Sequence, residues 1–258
     1  MLELKNISKK YEIGKKKDKT HQVVHALKGI SLSFRKNEFV SILGPSGCGK
    51  TSILSMISGL VKPTSGSIKL NDKLITCPQD EIGYMFQKDQ LFGWRTIEKN
   101  VLLPLEIKRK LTAENVNYAS ELISKYGLKE FVKYYPHQLS GGMRQRVALI
   151  RTLTQKPEIL LLDEPFSALD YQTRLSVCDD VYDIIKKENK TSILVTHDIS
   201  EAISVADKVL VLTKRPASIL SVHIMEFDKN LLPLKRREQE KFSKYFEVLY
   251  KELNNEKT

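Results

Sequence analysis

The sequence predicts an α/β protein with a mostly parallel β-sheet, an N-terminal antiparallel β subdomain and a helical subdomain. Strand-sized apolar runs alternate with segments of helical spacing over residues 159–212, a pattern that favours a parallel sheet covered on both faces. A glycine-rich loop, GPSGCGKT at residues 44–51, stands between an apolar run and a helical segment. From about residue 98 to 136 the spacing is helical and no strong strand pattern occurs, which indicates a helical insertion in the core.

The first sixty residues predict the N-terminal elements. LELKNIS and VVHALKGISLSF are two strand patterns with a polar turn over residues 14–21 between them, so Tyr11 is expected between the first strand and the turn. EFVSIL is mostly apolar and ends at the glycine-rich loop, which is typical of a buried strand. Apolar residues at helical spacing then predict a helix over residues 50–60, which Pro63 stops.

Three further apolar runs, ILLLDEP, TSILVTH and DKVLVLT, predict strands, and helices are expected between them at residues 171–187 and 199–206. From about residue 231 the chain is charged and has an apolar stripe at helical spacing, which predicts a helix that packs on the core. We therefore expect one domain over residues 1–230, with a helical subdomain at about 98–150 inserted in its α/β core. Residues 231–258 are expected to form a charged helical tail.

Composition narrows the class of protein. The chain has 258 residues, and no apolar run approaches the roughly 18 to 20 residues that a transmembrane helix needs. Its first residues lack the apolar segment of a signal peptide, so we expect a chain that cannot itself form a transport pathway. The net charge of +11 comes from scattered basic residues. This distribution favours a solvated surface, or one near anionic lipid headgroups, over a nucleic-acid site.

The loop GPSGCGKT satisfies the pattern G-x-x-x-x-G-K-[ST] after a strand and at the start of a helix, which predicts a P-loop NTPase core. Backbone N–H groups of such a loop face phosphate oxygens, and Lys50 is expected to reach the β- and γ-phosphates. Thr51 is expected to hold Mg²⁺. The predicted nucleotide-binding residues of the loop are Gly44, Pro45, Ser46, Gly47, Cys48, Gly49, Lys50, Thr51 and Ser52.

Polar residues that follow apolar runs predict the remainder of the catalytic site. Asp163 emerges at the end of ILLLD and is expected to help hold Mg²⁺, while Glu164 is placed to orient or deprotonate the attacking water. His197 ends the next strand and is expected near the γ-phosphate and the water. Gln87 follows the apolar run at residues 82–86 and is expected to contact both Mg²⁺ and the water.

A further motif, LSGGMRQR at residues 139–146, lies just upstream of ILLLDEP, and SALD at residues 167–170 follows it. The ordered set of motifs over roughly residues 1–215 resembles the ATP-binding subunit of ABC transporters. The resemblance implies that Tyr11 stacks on adenine and that Ser140, Gly141 and Gly142 cap ATP bound by a second copy of the chain. It also implies that Asp170 belongs to a loop that crosses the interface between the two copies.

The resemblance also implies cofactors and partners: ATP and Mg²⁺, a homodimer, an integral membrane permease subunit and an extracytoplasmic solute-binding protein, with no nucleic acid. The expected location is the cytoplasmic face of the membrane. LFGWRTIEKNV and VLTKRPASI are similar to the nitrate, sulfonate and taurine importer branch, and importers of pyrimidine precursors share them. Phe92 and Trp94 are expected to line a groove for the membrane partner. A soluble ABC-type ATPase acting on nucleic acid or ribosomes, and a small-molecule kinase, are the alternatives.

Overall fold

The structure is a computed structural model and describes residues 1–13 and 22–255. The polar turn expected over residues 14–21 lies outside the described residues. The described strands are β1 (Leu2–Ile13), β2 (Gln22–Phe34), β3 (Phe39–Leu43), β4 (Ser65–Leu70), β5 (Lys73–Leu74), β6 (Ile82–Met85), β7 (Ile159–Asp163), β8 (Thr191–Thr196), β9 (Lys208–Leu212) and β10 (Ile219–Ile224). The described helices are α1 (Lys50–Ile57), α2 (Ile97–Ile107), α3 (Ala113–Lys125), α4 (Gly141–Leu153), α5 (Tyr171–Lys187), α6 (Ile199–Val205), α7 (Pro233–Arg237) and α8 (Glu240–Asn255).

The larger of two sheets is mostly parallel, with the strand order β10-β9-β3-β8-β7-β6. The strands from β9 to β6 run parallel, and β10 is antiparallel to β9. Every residue of β3, β7 and β8 is buried. Burial on both faces explains why these strands are continuous apolar runs rather than alternating ones.

The smaller sheet is antiparallel, with the strand order β2-β1-β4-β5. Tyr11 was expected between the first strand and the turn, and this expectation was wrong. The strand β1 runs on to Ile13, so Tyr11 lies inside it, paired with Val24. The apolar side chains of this sheet pack with α1 against one face of the larger sheet. That packing holds the antiparallel sheet beside the start of α1.

The opposite face of the larger sheet is covered by α2, α3, α4 and α5, whose buried side chains form one continuous core with β7. The helix α1 ends at Ile57, earlier than expected, because Gly59 takes a φ of 77° and turns the chain. Among the described residues, no helix has both the length and the apolar character that crossing a membrane requires.

The C-terminal segment packs on the third core cluster, around α6 and β9. Four apolar residues of α8 lie on this cluster: Phe242, Phe246, Leu249 and Leu253. Arg236, in α7, is 1% exposed and donates hydrogen bonds to the carbonyl oxygens of Leu231, Ser204 and Ala206. These bonds attach the segment to the end of α6.

Candidate active site

Four neighbouring parallel strands, β3, β8, β7 and β6, deliver the predicted catalytic residues to one edge of the sheet. The phosphate-binding loop follows β3, Asp163 ends β7, His197 follows β8, and Gln87 lies two residues after β6. The carboxyl ends of adjacent parallel strands share one edge, where open α/β sheets bind ligands. Residues that are far apart in the chain therefore meet there.

The phosphate-binding loop depends on a glycine conformation at its entry to α1. Gly49 has a φ of 122°, and a Cβ atom at this position would lie 2.8 Å from Cδ2 of Leu27. Another residue would therefore meet both backbone strain and a clash with β2. The Nζ atom of Lys50 donates hydrogen bonds to the carbonyl oxygens of Gly44 (2.8 Å) and Pro45 (3.0 Å), which places its charge inside the loop.

Arg215 is a residue of this site that the sequence did not reveal. Its Nε atom donates a 3.1 Å hydrogen bond to the carbonyl oxygen of Gly47, and its Nη2 atom donates to the same oxygen. Because Arg215 follows β9, it reaches the loop from the strand next to β3. A cavity of about 240 Å³ is lined by Ser46, Gly47, Gly49, Lys50, Thr51, Ser52, Glu164 and Arg215.

Asp163 and Thr51 form the candidate metal site. The Oγ1 atom of Thr51 donates a 3.2 Å hydrogen bond to Oδ1 of Asp163, and the Tyr84 hydroxyl donates a 3.0 Å bond to Oδ2. Burial raises the pKa of Asp163, while the hydrogen bonds from Tyr84 and Thr51 lower it. Burial also raises the pKa of Tyr84, so its phenol stays a neutral donor.

The donor set suits Mg²⁺, which takes oxygen ligands and uses one or two protein side chains together with substrate phosphates. Thr51 and Asp163 supply a hydroxyl and a carboxylate oxygen side by side. Within the described residues there is no cluster of three or more His, Cys, Asp and Glu side chains that could hold a metal. A site that completes its coordination with phosphate and water does not require such a cluster.

Glu164 lies between His197 and Gln87, two of the other predicted catalytic side chains. Its Oε2 atom is 3.1 Å from Nδ1 of His197 and accepts a 3.5 Å hydrogen bond from Nε2 of Gln87. The backbone of Glu164 has a φ of 44°, a left-handed conformation that costs a non-glycine residue about 1 to 3 kcal/mol. The strained turn directs the carboxylate away from the strand and towards the cavity beside Lys50.

The strand end that carries His197 is braced by Glu201, another residue that the sequence did not indicate. Glu201 is 3% exposed, and its Oε2 atom accepts a 2.7 Å hydrogen bond from Thr196. Burial raises the pKa of this carboxyl group, and the nearby guanidinium of Arg174 lowers it. The contact fixes the start of α6 against the end of β8.

Tyr11 lies on the side of the loop that faces the antiparallel sheet. Its hydroxyl is 3.0 Å from Oγ of Ser52, and the Nζ atom of Lys9 lies 5.0 Å from the centre of its ring. The tyrosine is therefore next to the predicted phosphate site. Cys48 is buried within the loop, and burial raises the pKa of its thiol.

The LSGG segment forms the start of α4 and does not line the cavity at the phosphate-binding loop. Ser140 caps the helix by accepting a 3.3 Å hydrogen bond from the backbone N–H of Met143. A Cβ atom on Gly142 would lie 2.5 Å from Cγ2 of Val177, and one on Gly141 would lie 2.8 Å from Leu169. Gly142 therefore allows α4 to approach α5 closely, and Gly141 allows it to approach Leu169, just before α5.

Asp170 caps α5 in the same way. It accepts a 3.0 Å hydrogen bond from the backbone N–H of Thr173, and the hydrogen bonds from Thr173 lower the pKa of its carboxyl group. The structure thus unites Lys50, Thr51, Asp163 and Glu164 with their neighbours in one site. The LSGG segment and Asp170 stand at two separate helix starts.

A phosphate-binding loop, a strand-end carboxylate pair and a separate LSGG helix together define an ATP-binding cassette. The family model described as ABC transporter matches residues 27–167, more than half of the chain, and the chain belongs to this family. The aliphatic sulfonates import ATP-binding protein SsuB of Bacillus subtilis (strain 168) is 43% identical over 193 residues, covering 75% of this chain and 74% of SsuB. The taurine import ATP-binding protein TauB of Pelagibacter ubique (strain HTCC1062) is 40% identical over 206 residues, covering 80% of this chain and 78% of TauB.

A solved structure of the ATP-binding cassette MJ0796, a dimer in a post-hydrolysis state bound to ADP and Pi, aligns with a TM-score of 0.72. The two chains are 32% identical, and the alignment covers 88% of this chain and all of the other. Both the predicted fold class and the predicted family are confirmed. The chain is an ABC ATP-binding subunit and an ATPase, and ATP is its nucleotide.

Proposed function

We propose that this chain is the ATP-hydrolysing subunit of a membrane importer, works as a homodimer, and binds a separate permease subunit in an apolar groove beside Gln87. The observation that carries the proposal is the position of this groove, directly next to the residues proposed for hydrolysis. The importer names of SsuB and TauB support the direction of transport.

The groove has a volume of about 630 Å³ and lies between the end of β6 and the helix α2. Its apolar lining consists of Tyr84, Phe86, Phe92, Leu103, Pro104 and Ile107. Ile107 is 73% exposed, and large exposed apolar surfaces mark sites for partners. Trp94, which we expected in the lining, instead lies outside it, stacks on Phe92 with ring centres 4.7 Å apart and is 77% exposed. A permease segment that fills the groove and extends past Phe92 would also cover this tryptophan, a residue type that dominates interface energies.

Asp89 and Gln90, which follow Gln87, are bonded to α4, the helix that begins with the LSGG segment. The Nε atom of Arg144 lies 3.1 Å from Oδ2 of Asp89, and Arg151 donates hydrogen bonds to the carbonyl oxygens of Asp89 (2.6 Å) and Gln90 (2.7 Å). Burial lowers the pKa of Arg151, while the charge of Asp89 raises it. Movement of a bound permease segment would therefore reach both Gln87 and α4.

In the proposed chemistry each side chain has a separate task. Lys50 binds the β- and γ-phosphates, and Glu164 accepts a proton from the attacking water, which His197 and Gln87 help to orient. Thr51 and Asp163, with Gln87, would hold Mg²⁺, which when bound neutralises charge on the phosphate oxygens. The remaining loop residues bind ATP through their backbone, and Tyr11 stacks on the adenine.

The LSGG residues complete the site only in a dimer. We assign Ser140, Gly141 and Gly142 to the γ-phosphate of ATP bound by the other copy, where the start of α4 supplies N–H groups and a positive field. Asp170 belongs to the same interface. The dimeric state of the MJ0796 cassette supports a twofold arrangement with two buried ATP molecules.

We also propose that the chain lies on the cytoplasmic face of the membrane, attached through its permease. An extracytoplasmic solute-binding protein would deliver the solute. The solute is proposed to be small and of the nitrate, sulfonate, taurine or pyrimidine-precursor type. The import names of SsuB and TauB support the sulfonate and taurine types, and a relative named as the nitrate import protein NrtC supports the nitrate type. Residues 1–230 would form the ATPase domain, with the helical subdomain inserted at about 98–150, and residues 231–258 the charged helical tail.

Cross-linking in cells tests the permease. A photo-cross-linking amino acid at position 94 should yield an adduct with one integral membrane protein, identified by mass spectrometry. The control carries the same cross-linker at position 222, since Val222 is 50% exposed on β10, at the opposite edge of the sheet from β6. Identical adducts at both positions, or none with a membrane protein, would contradict the docking assignment. The purified complex should then hydrolyse ATP faster with its solute than without.

A further inference from the structure

Tyr84 joins the candidate metal site to the apolar groove through the two ends of one side chain. Its hydroxyl donates a 3.0 Å hydrogen bond to Oδ2 of Asp163. Its ring lines the groove and stacks on Phe86, with ring centres 4.4 Å apart and planes inclined by 27°. Because the phenol is rigid between these ends, a shift of the ring moves the hydroxyl that contacts the carboxylate.

The hydroxyl end completes the hydrogen bonding of the carboxylate. Oδ1 of Asp163 accepts from Thr51 at 3.2 Å, and Oδ2 accepts from Tyr84. A carboxylate that accepts one bond on each oxygen is fixed in position and in rotation. Outer hydrogen bonds of this kind orient metal ligands and tune their affinity.

The ring end lies where an occupant of the groove would pack. Phe86 is 44% exposed, so an apolar partner segment in the groove would contact it directly. Tyr84 lies on β6, the last strand of its sheet, which pairs only with β7 among the described strands. One side of β6 is therefore free of strand pairing in the described structure.

We propose that Tyr84 is a positioning residue for Asp163, and that its stack with Phe86 links the orientation of this metal ligand to the groove. The inference rests on the proposed Mg²⁺ site and groove. It adds a second route from partner to catalytic site, separate from Gln87. Through this route, a partner that packs on Phe86 adjusts the affinity of the ATPase for its metal.

The test measures the affinity of the isolated chain for a non-hydrolysable ATP analogue, once with Mn²⁺ in place of Mg²⁺ and once with EDTA. The ratio of the two affinities is the Mn²⁺ effect. Tyr84→Phe should reduce this effect about tenfold and leave the EDTA affinity and the thermal unfolding temperature unchanged. A purely structural defect would lower all three. An unchanged Mn²⁺ effect would overturn the positioning role.

A double-mutant cycle tests the link to the groove. Phe86→Ala should reduce the Mn²⁺ effect about two- to fivefold, and Phe86→Tyr, which keeps the stacked ring, should restore it. The double variant Tyr84→Phe with Phe86→Ala should be no weaker than Tyr84→Phe alone. Additive losses would mean that Phe86 acts through another residue, such as Gln87, and would overturn the link. The cycle needs no permease, so its failure is distinguishable from failure of the docking assignment.

Discussion

The Nδ1 atom of His197 lies 3.1 Å from the Oε2 atom of Glu164, across the ends of two adjacent parallel strands. The backbone of Glu164 is left-handed, and its N–H donates to the carbonyl oxygen of Val195 at 3.0 Å. The carboxylate is thus held both by its own backbone and by the neighbouring strand end. If Glu164 is the base, as proposed, a carboxylate fixed in this way needs little reorganisation when it accepts a proton.

Glu164→Gln tests this role directly. The amide cannot accept the proton, so hydrolysis should fall about 10²- to 10⁴-fold while ATP binding persists. Phosphate release measures the first effect, and size-exclusion chromatography with ATP should show a stable dimer. Glu238→Gln makes the same change in a surface pair with Lys235, and it should leave both measurements at wild-type values. Near-normal turnover in Glu164→Gln would remove Glu164 as the base.

Arg215→Ala should weaken ATP binding, because the guanidinium holds the carbonyl oxygen of Gly47 within the phosphate-binding loop. Losing a charged hydrogen bond of this kind costs about 1.5 to 3 kcal/mol, which corresponds to roughly a 10- to 150-fold rise in Kd. Equilibrium binding of a fluorescent ATP analogue measures it. Arg35→Ala, in the turn before β3, removes an arginine remote from the loop and serves as the control. Equal Kd values for the two variants would show that Arg215 does not support the loop.

The sequence predicted those strands and helices that are determined by a pattern of neighbouring residues in the chain. The runs that became β3, β7 and β8 are apolar because both their faces are buried, and their ends locate Lys50, Asp163 and Glu164. β10 escaped prediction because its apolar residues Leu220, Val222 and Ile224 lie on the exposed side, the reverse of the usual pattern of a half-buried strand. Tyr84 and Arg215 escaped for a different reason. They contact residues 79 and 168 positions away, and no local pattern records such a pairing.

Gly142→Ala should destabilise the folded chain, because its Cβ atom would lie 2.5 Å from Cγ2 of Val177. Overpacking of this kind costs about 1 to 3 kcal/mol, measurable as the free energy of unfolding in urea. Gly93→Ala is the matched control, since nothing lies within 4 Å of the added Cβ atom. The variant Gly142→Ala with Val177→Ala should be more stable than the sum of the single changes predicts. Strict additivity would show that the two helices do not clash there.

Complementation between two inactive chains tests the shared active site. Ser140→Arg should block the cap on the partner's ATP, and Lys50→Ala should remove the phosphate contact of its own loop, so each chain alone should be inactive. In a mixed dimer, however, one ATP site combines the intact Lys50 of one copy with the intact Ser140 of the other. An equimolar mixture should therefore recover about a quarter of wild-type activity if the sites act independently. Ser140→Asp retains the helix cap, so this variant distinguishes loss of the contact with ATP from a folding defect. A mixture that stays inactive, although mixed dimers form, would place Ser140 and Lys50 at the same ATP within one chain.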